Sequence, residues 1–194
     1  MQKESARDRI LRVASELFYM EGIRAVGIDR IIKESGVAKA SFYRSFATKD
    51  DLAVAYLESR DELKVEKLER LRQLYPNSPK EQLDTLIRDV TEQMGMPDYR
   101  GCPFLNAAVE FPDPEHPAHI KLLGIQRSFW SRVLELAREG GARQPEELTA
   151  QLRMLYDGFV MKSYLDRSEF DPEYFRKAAE LLLEKQLAPD NHRG

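Results

Sequence analysis

Between Gly36 and Lys49 the chain gathers residue types that can hold a polyanion: Lys39, Ser41, Tyr43 and Arg44, with Ala40 among them, crowd a stretch of barely two helical turns. Phe42 and Phe46, four residues apart, point to the opposite side. The remaining surface is small, polar and basic, as a helix lying in the major groove needs for close approach and for donors to bases and phosphates. The same spacing also fits an ordinary helical hairpin with a solvated face.

A second helix must stand before this one to position it. Ile28, Ile31 and Ile32 share a face at i, i+3, i+4 spacing, and the pattern stops at Ser35–Gly36, where glycine can take the left-handed conformation that ends a helix. Downstream, Thr48 and Asp51 form an S/T-x-x-D/E cap for a further helix. That cap puts Lys49 in a first turn, where the macrodipole disfavours a cation. A lysine there implies a nearby anion, and the helix's first N–H groups, Lys49 and the Tyr43 hydroxyl could together grip one DNA phosphate.

GVAKASFYRSFATKDDL resembles the helix-turn-helix signature of TetR-type (tetracycline repressor-like) bacterial transcription regulators, with Gly36, Val37, Tyr43, Phe46, Lys49 and Leu52 at matching positions. The likeness extends upstream through Arg9, Ile10, Ala14, Leu17, Phe18, Gly22 and Ile31 and so covers roughly the first 55 residues. It implies a sequence-specific regulator of double-stranded DNA, a repressor, with Lys39, Ala40, Ser41, Tyr43, Arg44 and Lys49 at the DNA. Three positions depart from the pattern: Gly27 where Ser or Thr is common, Ala38 for a common Ser, and Ala40 for a common Gly. Two hydroxyl contacts are therefore expected to be missing. Asp29 suits a helix start but would repel a phosphate.

The 194 residues are 42% hydrophobic, enough for a real core, and carry a net charge of −3. Division of that charge is more telling: residues 1–49 hold 10 Lys/Arg against 6 Asp/Glu, a net +4, which leaves −7 for the remainder. With one cysteine, Cys102, no intrachain disulfide is possible; no leader is expected, and no apolar run reaches membrane-spanning length. A soluble, cytoplasmic protein without membrane contact is expected.

The patterning predicts an all-α chain of about nine helices with a disordered tail over 189–194, and the resemblance implies a three-helix DNA-binding head over residues 1–50 and a ligand-sensing and dimerisation body over 51–188. The first helix is expected from Ser5 to about Glu21. The third helix of the head continues into the body as far as about Leu74, with Leu52, Tyr56, Leu63 and Leu71 on its apolar side; ten of the fifteen residues between Glu58 and Arg72 are charged, which reads as a solvated surface. Helices are expected at about Glu81–Met94, Cys102–Glu110, Ala118–Glu139, Pro145–Leu165 and Pro172–Gln186. On the last, Tyr174, Ala178, Leu181 and Leu182 line the apolar face. GCPFLNAAVE, residues 101–110, also resembles a GCxFxNAAxE segment of one branch of the TetR-type regulators.

Apolar faces on the last two helices can pair with a second copy or close the monomer's own core. The resemblance implies a homodimer, and Leu152, Phe159, Tyr174, Ala178 and Leu182 are the interface expected. It also implies a cavity in the body for a small-molecule effector, apolar and as yet unknown. Met94, Met96, Cys102, Phe104, Phe129, Trp130, Met154 and Phe159 supply its walls, with Asn106 as a polar handle, although such stripes also serve as plain core.

Other chemistries are weaker. His116 and His119 have i, i+3 spacing, but Pro117 lies between them and no paired ligand is close, so no metal and no other cofactor is expected. Cys102 as an oxidation trigger is an alternative, set against its apolar neighbours Pro103, Phe104 and Leu105. The carboxylates Glu110, Asp113 and Glu115 are not organised round a nucleophile, so the chain reads as no enzyme. A helical interaction protein that never meets DNA is the remaining alternative.

Overall fold

The computed structural model describes residues 4–187, which form nine α-helices and no strand among the described residues. They are α1 (Ala6–Glu21), α2 (Ile28–Ser35), α3 (Lys39–Ser45), α4 (Lys49–Leu74), α5 (Pro79–Gly95), α6 (Pro103–Glu110), α7 (Pro117–Glu139), α8 (Pro145–Leu165) and α9 (Pro172–Gln186). The expected tail at 189–194 lies outside the described residues. Five helices begin on proline, whose missing N–H is one that a first turn could not have used and whose fixed φ already suits the helix. Hence α5, α6 and α7 start within two residues of the positions read from the apolar pattern.

Two compact units divide the chain. The first takes the residues up to Leu63 together with Cys102–Ile125, and so includes α6 and the start of α7; the second takes Lys64–Gly101 and the chain from Gln126 onward. In the first, Ile10 and Ala14 of α1, Ile31 of α2, Phe42 of α3, Leu52 and Leu57 of α4, and Phe104 and Ala107 of α6 are fully buried. The Phe18 and Tyr56 rings meet edge to face at 5.6 Å, pinning α1 to α4, and Arg60 reaches from α4 to the Ser15 carbonyl over the Tyr19 ring. Burial pushes the Tyr56 phenol up to about 12, although Arg60 opposes the shift. The second unit's core includes Leu83, Met94, Val133, Leu148, Val160 and Leu183.

One packing expectation needs correction. Leu63, placed on the apolar side of α4, is 57% exposed, because it falls inside the charged stretch that faces water. On α9 the buried face is Phe175, Ala179, Leu183 and Gln186, while Tyr174 and Leu181 are 63% and 65% exposed. The helix carries two adjacent apolar stripes, and periodicity alone selects neither. The α6 segment is likewise buried on one side only: Phe104 and Ala107 are inside and Val109 faces out.

Gly101, just before α6, has φ +83, and a Cβ there would overlap the Tyr164 side chain of α8. Gly101→Ala therefore strains the backbone and displaces Tyr164, at a cost above about 1 kcal/mol. Scanning calorimetry should show a fall in Tm of roughly 2–4 °C per kcal/mol, part of which Tyr164→Ala restores.

Candidate functional site

Seven residues cannot hold a helix in water, so α3 exists because Phe42 has no exposed surface left and Phe46 almost none. Their rings lie 6.4 Å apart, and the Arg7 guanidinium of α1 lies over Phe46 at 5.1 Å. Gly36 takes the left-handed conformation, φ 63 and ψ 27, that ends α2 and turns the chain into α3. This turn presents Lys39, Ala40, Tyr43 and Arg44 to solvent, with Ser41 half-buried beside them.

Within this surface Arg44 donates to the Ser41 hydroxyl at 2.9 Å, and Lys39 stands 3.4 Å from the Asp29 carboxylate at the start of α2. Both links are exposed and weak enough to yield to a phosphate or a base edge. Gly27 and Ala38, the residues that depart from the common hydroxyl pattern, are the N-caps of α2 and α3, and neither helix has a side-chain cap. Behind the surface, Arg30 forks between Glu21 of α1 and Glu34 of its own helix, and those carboxylates hold its guanidinium above the usual arginine range.

Thr48 and Asp51 make the reciprocal cap of α4: the Thr48 hydroxyl accepts from Asp51 N–H at 3.0 Å, and the Asp51 carboxylate accepts from Thr48 N–H at 3.0 Å. Lys49 is half-buried and donates to the Arg24 carbonyl at 3.1 Å. Burial lowers its ammonium below the usual lysine range, while the carboxylates of Glu110 and Asp50 pull it back up. The anions expected near this lysine thus include two that belong to the protein. Glu110 was legible in the sequence only as one carboxylate among several; its grip on residues 23 and 24 spans more than 80 positions and carries no local signal.

A separate cavity of about 100 Å³ lies within the second unit. Leu83, Leu86, Ile87 and Val90 of α5, Phe129, Trp130 and Val133 of α7, Leu152 and Tyr156 of α8 and Phe175 of α9 wall it, with Lys64, Lys67 and Gln93 as its polar lining. The Lys64 ammonium lies 4.5 Å from the Phe129 ring centre and Lys67 pairs with Asp89 at 3.1 Å. Of the wall residues expected from the sequence, Phe129 and Trp130 line this space. Met94 is buried elsewhere in the core, Met96 and Met154 are exposed, and Phe159 packs half-buried against Phe170 and Phe175. Cys102, Phe104 and Asn106 belong to the first unit, where Cys102 and Phe104 are buried and Asn106 half-buried. The cysteine is 1% exposed, which withholds its thiol from an oxidant.

Of the expected interface residues, Tyr174 is exposed and Ala178, Leu182 and Phe159 are partly accessible, whereas Leu152 turns into the cavity wall. The histidines are used locally: His116 stacks on Phe111 at 4.4 Å with its Nε2 3.4 Å from Asp50, and His119 Nδ1 lies 2.7 Å from the Phe111 carbonyl. No group of three potential metal ligands occurs among the described residues, and no helix there is long and apolar enough to cross a membrane.

Residues 10–56 match the bacterial regulatory proteins, tetR family. The chain is similar to a TetR-family transcriptional regulator from Streptomyces coelicolor, whose crystal structure superposes with a TM-score of 0.86 at 36% identity over 93% of this chain and 95% of that one. It is also similar to the HTH-type transcriptional regulator LmrA of Bacillus subtilis, at 29% identity over 83% of this chain and 88% of that protein, and to the transcriptional regulator AcuR of Cereibacter sphaeroides, at 25% over 83% and 77%.

A phosphate contact and a base contact respond differently to substitution. Lys49→Ala should weaken binding to all sequences alike and reduce the slope of log affinity against log salt by about one per head. Arg44→Ala, if its guanidinium reads a guanine, should instead cost about 1–3 kcal/mol at one position of each half-site. Anisotropy titrations against operator and random duplexes at several salt concentrations distinguish the two.

Proposed function

Since the chain belongs to the TetR family of bacterial transcription regulators, we propose that it is a homodimeric repressor whose two α3 helices read the halves of an inverted repeat in double-stranded DNA. The observation that carries this reading is the surface of α3: Lys39, Ala40, Tyr43 and Arg44 exposed together on a helix that Phe42 holds from behind. A head over 1–50 reads DNA, and a body over 51–188 pairs the copies and senses an effector in the cytoplasm. The chain carries no catalytic role in this reading, and GCPFLNAAVE assigns it to the branch that the segment marks.

Support for the dimer comes from α8 and α9, where Met154, Met161, Leu165, Tyr174 and Leu181 leave apolar surface in water. Support for an effector comes from the cavity, whose aromatic walls suit an apolar ring. Its volume is small beside the ~300 Å³ and more of ordinary ligand pockets, so an effector of any size must push its walls apart. A ligand that favours the expanded state shifts the population by its differential affinity and no more. Heads read major-groove faces that recur every ~34–36 Å, so expansion that alters head spacing by several ångströms releases the operator.

Gel shift on the DNA flanking its own coding region tests the regulator directly, with retention of one discrete band expected. Tyr174→Glu with Leu182→Glu should give monomers in sedimentation at micromolar concentration, with operator affinity collapsing although the heads still fold. Val90→Trp fills the cavity: operator affinity should stay within about twofold of the parent, while thermal stabilisation by single-ring compounds such as toluene or phenol disappears.

A further inference from the structure

Glu110, the last residue of α6, reaches back to the link between α1 and α2. Its Oε1 accepts from Ile23 N–H at 3.0 Å and its Oε2 from Arg24 N–H at 2.6 Å. These are the first two donors after Gly22, the residue on which α1 ends with φ +94 and its own N–H on the Phe18 carbonyl. A carboxylate that accepts two backbone N–H groups makes charge-assisted bonds and fixes the chain at both.

Further contacts converge on the same place. Lys49 donates to the Arg24 carbonyl, so Arg24 is held at its N–H by α6 and at its C=O by α4. The Arg24 guanidinium lies over the ring of Phe111, the residue after Glu110, at 5.5 Å. Phe111 in turn stacks on His116, whose Nε2 faces Asp50 in the first turn of α4. The link that feeds α2 is thus clamped between the end of α6 and the start of α4, all within the first unit.

We propose that Glu110 is a positioning residue of the DNA-reading head: its carboxylate, seated on Ile23 and Arg24, sets the entry of α2 and α3 against α4 and holds Lys49 at its place beside the reading surface. A displacement of α6 then moves the link, and withdrawal of the carboxylate frees it. The proposal rests on the reading of the chain as a DNA-binding regulator and adds the residue through which α6 acts on the head. A carboxylate that merely caps loose donors would stabilise the fold and leave the operator affinity of the folded protein unchanged.

Glu110→Gln keeps the shape but replaces one acceptor oxygen with a donor, which cannot satisfy both N–H groups. In the full-length dimer, hydrogen exchange at the Ile23 and Arg24 amides should quicken at least about tenfold while the amides of α1 hold, and operator affinity well below Tm should fall roughly tenfold. Lys49→Ala should cost less in the Glu110→Gln background than in the parent, since both act on Arg24. Unchanged exchange at the two amides, a lowered Tm with parental operator affinity, or a variant that fails to fold would each overturn the proposal. The exchange arm needs no DNA, so a parent that binds no operator would undo the regulator reading while the two amides still decide the grip.

Discussion

The α3 surface proposed to read DNA depends on the burial of Phe42. A seven-residue helix has too few internal hydrogen bonds to repay its nucleation, and truncating a buried phenylalanine costs about 3–5 kcal/mol. Phe42, fully buried, and Phe46, beneath Arg7, tie α3 to α1, and the left-handed turn at Gly36 fixes its angle to α2. Lys39, Tyr43 and Arg44 are then presented by a backbone held from behind, so the contact proposed for them needs little rearrangement when DNA arrives. The exposed ion pairs around them, such as Arg30 with Glu21 and Glu34, add little by comparison.

What the sequence announced was local. Gly36 as the end of α2, the reciprocal Thr48–Asp51 cap, the prolines that open the last two helices and the inward pair Phe42 and Phe46 each rest on a spacing of four residues or fewer. Those are the ranges over which backbone chemistry is written in residue types. The nine helices among the described residues followed from such signals. Where the helix surface offered two apolar stripes, as on α9, the choice between Tyr174 and Phe175 depended on what packed against it, and the pattern could not supply that. Leu63 failed for a related reason, since one leucine in a charged run says little about which side faces water.

Long-range features were the least legible. The carboxylate of Glu110 is one of thirty-three acidic residues, and only the fold brings it to Ile23 and Arg24. The cavity likewise draws on five helices, and of the aromatic and methionine residues singled out for it, Phe129 and Trp130 are the ones on its walls. Methionines proved poor guides because Met94 fills core while Met96 and Met154 face solvent. In both cases composition was legible without convergence, and convergence is a property of packing.

Whether two copies present α3 to successive major-groove faces is decided by selecting bound duplexes from a random library and sequencing them. An inverted repeat is expected, its half-site centres about one helical turn, or a whole number of turns, apart. Enrichment of a single unrepeated site, or of no sequence at all, would contradict it.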